Sequence, residues 1–145
     1  MPVIWFKPGL TIADIGPFNA RTMAEHLGIV YTELGDNYLS ATMPVDHRTQ
    51  QPAGLLHGGA SCALAETLGS VASFLVIDPA HVQPVGLEIN ANHIRGVRSG
   101  LVTGTATSIH LGRTTHVWDI RIRDERDSLV CISRLTVALI KKSQP

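Results

Sequence analysis

What most constrains this chain is a single long helix of small residues set among strands. Residues 58 to 76 read GGASCALAETLGSVASFLV. Leu64, Leu68, Val71 and Leu75 recur at helical spacing and make one apolar stripe. Most other positions are Ala, Gly or Ser, which let neighbouring chain approach closely. Such a helix belongs inside a sheet, not on a surface. At roughly 1.5 Å per residue it would run nearly 30 Å.

Strand patterns fill most of the rest. GIVYTELG and YLSATMPV precede the helix, separated by GDN, a hairpin signal. After the helix, PVGLEINANHI sets Val85, Leu87 and Ile89 against Glu88, Asn90 and Asn92 on the opposite face. GLVTGTATSIHLG is rich in Thr, Val and Ile. THVWDIRIRDE alternates Trp118, Ile120 and Ile122 with Asp119, Arg121 and Arg123. LVCISRLTVALIKK alternates again, and DERDS joins the last two runs as a tight turn. A short helix is expected over residues 17 to 27, with Asn19 as N-cap and Gly28 just past its end. Two strands, one helix and four strands predict an α+β domain in which an antiparallel sheet wraps the helix. The whole chain, 1–145, reads as one domain. The sheet's open edges would pair with a second copy.

Composition narrows the function. The chain has 145 residues, 44% hydrophobic and 17% charged, with zero formal net charge. That is a globular composition, without the electrostatic footprint of a nucleic-acid or anionic-membrane binder. Cys62 and Cys131 form no C-x-x-C pair or disulfide framework, which fits a reducing compartment. The start, MPVIWFKPGL, lacks the basic and apolar regions of a signal peptide. The run from Ala60 to Ile77, interrupted by Glu66 and several Ser and Gly, makes a poor membrane span. A cytoplasmic protein is expected.

The chemistry concentrates around QQPAGLLHGGASCALAETLGS, residues 50 to 70. Glu66 is the one carboxylate in the helix, where an unpaired buried charge is costly. It reads either as a partly exposed or Arg-paired glutamate, or as a nucleophile or general base with a tuned pKa. Ser70, four residues on, and Cys62 share its face. Gly58 and Gly59 would open the helix, where free N–H groups can hold an oxyanion or simply make a turn. His57 stands just before them and Gln51 six residues earlier. A polar amide, an imidazole, free N–H donors and a carboxylate are the parts of acyl transfer to water.

The stretch QPAGLLHGGASCALAETLGS strongly resembles the hotdog-fold acyl-CoA thioesterases. The likeness is greatest to the PaaI-like branch with 4-hydroxybenzoyl-CoA thioesterase and 1,4-dihydroxy-2-naphthoyl-CoA hydrolase. It continues through ATMPVDHRTQQP, VGLEINANHIR, HLGRTTHVW and SRLT. The resemblance implies that Glu66 is the nucleophile or the base that activates water. It implies that the Gly58 N–H polarises the thioester carbonyl, that His57 and Gln51 position the thioester, and that Ser70 supports Glu66. It implies a site formed between two subunits, a homodimer assembling to a homotetramer, and an aromatic acyl-CoA substrate, as in menaquinone biosynthesis. A mis-acylated aryl carrier protein is the alternative substrate. No cofactor or metal is expected, coenzyme A being part of the substrate.

For the CoA end, NANHIRGVRSG holds His93, Arg95 and Arg98, and HLGRTTH holds His110, Arg113 and His116. Arg suits phosphate, although isolated Arg on strand ends is usually plain surface charge. The resemblance assigns the CoA role to Gly86, to His93, Arg95, Gly96 and Arg98, and to His110, Leu111, Gly112 and Arg113. Relatives often carry Ser where this chain has Gly96. Arg121, Arg123, Lys141 and Lys142 read as a solvated face, and Asp46 with Arg48 as a loop ion pair. Trp5, Phe6, Phe18, Phe74 and Trp118 read as core or interface, with Phe18 and Phe74 also candidates for an acyl pocket.

Four rivals were weighed. GASCA supplies half of a serine-hydrolase elbow around Ser61, without its second glycine. Seven His residues form no H-E-x-x-H and no Cys/His cluster with metal spacing. A hotdog dehydratase uses a similar His and carboxylate on acyl carrier protein. A binding module would hold acyl-CoA without cleaving it.

Overall fold

The structure is a computed structural model that describes residues 2–143. A hairpin of β1 (Val30–Leu34) and β2 (Tyr38–Pro44) leads through a loop to the helix α3 (Gly58–Val76). β3 (Val82–His93), β4 (Leu101–Leu111), β5 (Thr115–Arg123) and β6 (Leu129–Lys141) follow. The sheet has six strands in the order β1-β2-β4-β5-β6-β3, and every pairing is antiparallel. β1 and β3 are therefore the free edges. α3 packs on the face of β2 to β6, as its small residues required. Leu64, Ala65, Leu68 and Ala72 of the helix meet Leu39, Val102, Trp118, Ile120 and Leu135 of the sheet, all fully buried. Contact is close enough that a Cβ at Gly69 would lie 2.4 Å from the Leu135 side chain. Among the described residues α3 alone is long and apolar enough to cross a membrane, but half of that window is buried inside the fold.

Three expectations need correction. Residues 17–27 are not one helix. After α1 (Ile12–Ile15) they divide between the end of a 3₁₀ turn (Gly16–Asn19) and α2 (Met23–His26). Asn19 is no cap: its buried amide donates to Ile29 O at 2.8 Å and accepts from the Tyr31 hydroxyl at 2.8 Å. It ties the N-terminal segment to β1 instead. Second, Val71 is half-buried and lies outside the stripe that Leu64, Leu68 and Leu75 bury.

Third, β3 does not alternate evenly. Its register shifts between Gly86 and Glu88, so Leu87 is the extra residue of a β-bulge and is 62% exposed. Val85 pairs with Ala138, Gly86 with Val137 and Ile89 with Leu135. Val137 and Leu135 are buried under α3, so Gly86 and Ile89 face the helix and Val85 faces away. The bulge aims a bare glycine backbone at α3.

Candidate active site

His57 caps α3. Its backbone is extended (φ −67°, ψ 130°), and its Nδ1 accepts the Gly59 N–H at 2.7 Å. That bond assigns the ring proton to Nε2, which is left as an outward donor. It also consumes the Gly59 N–H. The Gly58 N–H, in the first turn, has no intrahelical acceptor and remains for a ligand. The exposed His93 ring lies close over this backbone: a Cβ at Gly58 would sit 2.8 Å from His93 Nε2.

Gln51 lies on the loop before α3, which is closed by a Gln50–Leu56 bridge. Its Oε1 accepts the Ala53 N–H, so its NH₂ faces outward as a donor. Gln51, Gly58, His93, Arg95 and Gly96 line one cavity of about 290 Å³. Arg95, Gly96 and Arg98 also line a neighbouring one of about 530 Å³, with Asp124 and Glu125.

Glu66 is elsewhere. Eight residues of helix, about 12 Å, separate it from Gly58. It lies on the side of α3 that the sheet leaves open, half-buried, along with Cys62, Thr67, Ser70 and Val71. Burial raises its pKa, opposed by a hydrogen bond from Ser70. Among the described residues no cationic nitrogen lies within 4.0 Å of it, so the ion-paired reading fails. Its carboxylate sits over Gly86, where a Cβ would fall 2.3 Å from Oε1. Gly86, expected at the CoA end, thus abuts Glu66. This contact was not legible from the residues, because the bulge creates it.

The other CoA candidates are divided. Arg98 lies just before β4, whereas His110, Leu111, Gly112 and Arg113 occupy its far end and the following turn. Eleven residues of strand at about 3.4 Å each put more than 30 Å between the two groups. His116 is removed from the list altogether. It is 2% exposed, its Nδ1 lies 3.1 Å from the Ser73 hydroxyl, and the same hydroxyl accepts the Trp118 indole N–H at 2.7 Å. Burial, and then the nearby His110, hold His116 down at about 4. Its place could have been read from the sequence, since His116 shares the inward face of Trp118, Ile120 and Ile122.

Ser61 is 1% exposed, at the base of the cavity lined by Gln51, Gly58 and His93. No group of three or more His, Cys, Asp or Glu capable of holding a metal occurs among the described residues. The Asp46–Arg48 pair is present at 2.7 Å. Arg121 and Arg123 lie on the outward face of the sheet, beside Thr103 and Thr105 in a cavity of about 570 Å³.

A long helix wrapped by a six-stranded antiparallel sheet is the hotdog architecture. Residues 53–131 match the family model of the thioesterase superfamily, and the chain belongs to that family as a thioester hydrolase. It is similar to the proofreading thioesterase EntH of Cronobacter sakazakii, with 51% identity over 95% of this chain and 99% of that protein. A mutant thioesterase of Pseudomonas aeruginosa superposes with a TM-score of 0.93 at 48% identity, covering 96% of this chain and 99% of that one. A thioesterase of Haemophilus influenzae gives 0.90 at 49% identity, covering 95% of each.

Proposed function

We propose that this chain hydrolyses acyl thioesters, with aromatic acyl-CoA as first substrate, at a site completed by a second copy. The observation that carries the reading is Glu66, a carboxylate of raised pKa on the open side of α3 with a bare backbone beside it. In one protomer it is about 12 Å from the Gly58 N–H, too far for both to serve one carbonyl. The free edge of β3, with Val85 and Leu87 exposed, is where a second copy would pair. Gly58, His57 and Gln51 of that copy then face Glu66, and the two divided CoA groups are also brought together from different subunits. This arrangement supports a homodimer, and the homotetramer remains what the family resemblance implies.

The chemistry takes one of two courses. Glu66 removes a proton from water as the water oxygen attacks the thioester carbon, or Glu66 attacks and forms an anhydride that water cleaves. In both, the carbonyl oxygen gains negative charge opposite the Gly58 N–H. The C–S bond then breaks, and the sulfur leaves as thiolate and takes up the proton. His57 Nε2–H and the Gln51 amide donate to the thioester or to the attacking water.

A carrier-protein thioester is the second reading, favoured by the similarity to EntH, named as a proofreading thioesterase. Thiol release from benzoyl-CoA, 1,4-dihydroxy-2-naphthoyl-CoA, hexanoyl-CoA and a benzoyl-loaded carrier protein separates the two. Wild type should cleave at least one aryl thioester, and Glu66→Gln should lose about two orders of magnitude or more. A folded Glu66→Gln as active as wild type removes Glu66 from the mechanism, and crotonyl hydration without thiol release would establish the dehydratase instead.

A further inference from the structure

The cavity lined by Gly58 and Gln51 opens onto a surface of uncompensated arginines. Arg95 and Gly96 line both that cavity and its larger neighbour, which Arg98, Arg126, Asp124 and Glu125 also wall. Arg95, Arg98 and Arg126 are exposed. Among the described residues no carboxylate lies within 4.0 Å of any of the three guanidinium groups. The two acids beside them are turned to the backbone instead. Asp124 Oδ1 accepts the Arg126 and Ser128 N–H groups at 2.9 Å each, and Glu125 Oε1 accepts the Leu101 N–H at 2.9 Å. Ile94, next to Arg95, lines the inner cavity and is still 55% exposed. The surface is tied to the loop that bears Gln51: Gln50 Nε2 donates to Arg98 O at 2.8 Å, and the Leu56 N–H donates to Val97 O at 2.7 Å.

Resting on the reading that a thioester reaches Gly58, we infer that this surface docks an acidic protein that carries the acyl group on a phosphopantetheine arm. The arginines meet carboxylates of the partner, and Ile94 meets an apolar side chain between them. Ile94 is what favours a protein over a nucleotide. Arginines around an exposed aliphatic residue have the make-up of a protein interface, in which Arg is a frequent anchor. A phosphate would engage the guanidinium groups and leave Ile94 in water. The cations also come from two separate segments, the one after β3 and the β5–β6 turn, and are spread along a cavity of about 530 Å³. That spacing suits dispersed carboxylates better than a compact anion, and it steers a partner before contact. Gly96 lies on the threshold between the two cavities, where the arm would pass. A Cβ there would crowd the Leu55 side chain at 3.1 Å, so the bare backbone keeps the passage open.

The test offers one acyl group on three carriers: a benzoyl-loaded aryl carrier protein, benzoyl-CoA, and benzoyl-pantetheine, which has neither protein nor phosphate. Thiol release is followed with wild type, Arg126→Glu and, as a control on the outward face of the sheet, Arg121→Glu. Arg126→Glu should lower kcat/KM for the loaded carrier protein about tenfold or more, through KM, and change benzoyl-pantetheine by less than about twofold. Arg121→Glu should leave all three unchanged. A second measurement needs no variant: raising salt from about 50 to about 300 mM should cut the wild-type value for the carrier protein about fivefold or more and spare benzoyl-pantetheine. Equal losses on carrier protein and CoA in Arg126→Glu would make the arginine a nucleotide contact and overturn the docking surface. A carrier-protein rate indifferent to salt, or to Arg126→Glu, also overturns it and leaves hydrolysis of carrier-bound thioesters standing. Wild type that cleaves benzoyl-CoA but not the loaded carrier protein removes the carrier reading and this inference together. Wild type that cleaves none of the three removes thioester hydrolysis itself.

Discussion

Glu66 is raised in pKa because burial disfavours its charge more than the Ser70 hydrogen bond favours it. Both proposed courses of the reaction need the ionised form. Activity should therefore fall as pH drops through a pKa above the ordinary 4.5, and a pH profile of kcat/KM should place its acid limb there. The neighbouring glycine is equally local. A Cβ at Gly86 would occupy the position of Oε1, so Gly86→Ala should push the carboxylate aside. We expect at least a tenfold loss of kcat, with thermal unfolding shifted only slightly because Gly86 is exposed. His116 gives a prediction of opposite character. Its folded pKa of about 4 is below the ordinary 6.5, so the unfolded chain binds the proton first. Stability is fully present above pH 6.5 and is lost as pH falls from there toward 4. The loss is at most about 3 kcal/mol, and urea titrations at pH 7 and 4.5 should show it in wild type but not in His116→Gln. Glu66 was legible in the sequence, because a carboxylate among Ala, Gly and Ser is chemically out of place, and the inward place of His116 was legible in the alternation of β5. The role of Gly86 was hidden, since it depends on a one-residue bulge that no local pattern announces.

At the scale of elements, α3 was the most legible part of the fold. Its small residues, its GG start and its length all pointed one way, and Gly58–Val76 is the helix observed. The N-terminal turns were obscure because each is only four residues long and is held by tertiary bonds such as Asn19 to Ile29. The cap of α3 joins fold and function in one side chain. Losing an N-cap costs about 1 kcal/mol, so His57→Ala should lose stability of that order by urea denaturation, as well as activity. His57→Asn can still cap the helix but lacks the outward Nε2–H. It should recover most of the stability and little of the thiol release, which separates the two duties. Equal recovery of both would make His57 a structural residue only.

For the whole molecule, the proposed chemistry calls on groups from more than one chain. Glu66 and the Gly58 N–H sit a dozen ångströms apart, and the CoA candidates lie at opposite ends of β4, while the edge of β3 is unpaired. The resemblance implied a site between two subunits, but the separation of the candidate groups on different elements was not legible, because distance between elements follows from topology. Subunit mixing tests this most directly. Glu66→Gln and His57→Asn, each nearly inactive alone, should be unfolded together, refolded and assayed for thiol release. Half of the random dimers would be mixed, and each would hold one intact site of two, so about a quarter of wild-type activity should return. No recovery from correctly refolded, mixed dimers would contradict a site shared between copies.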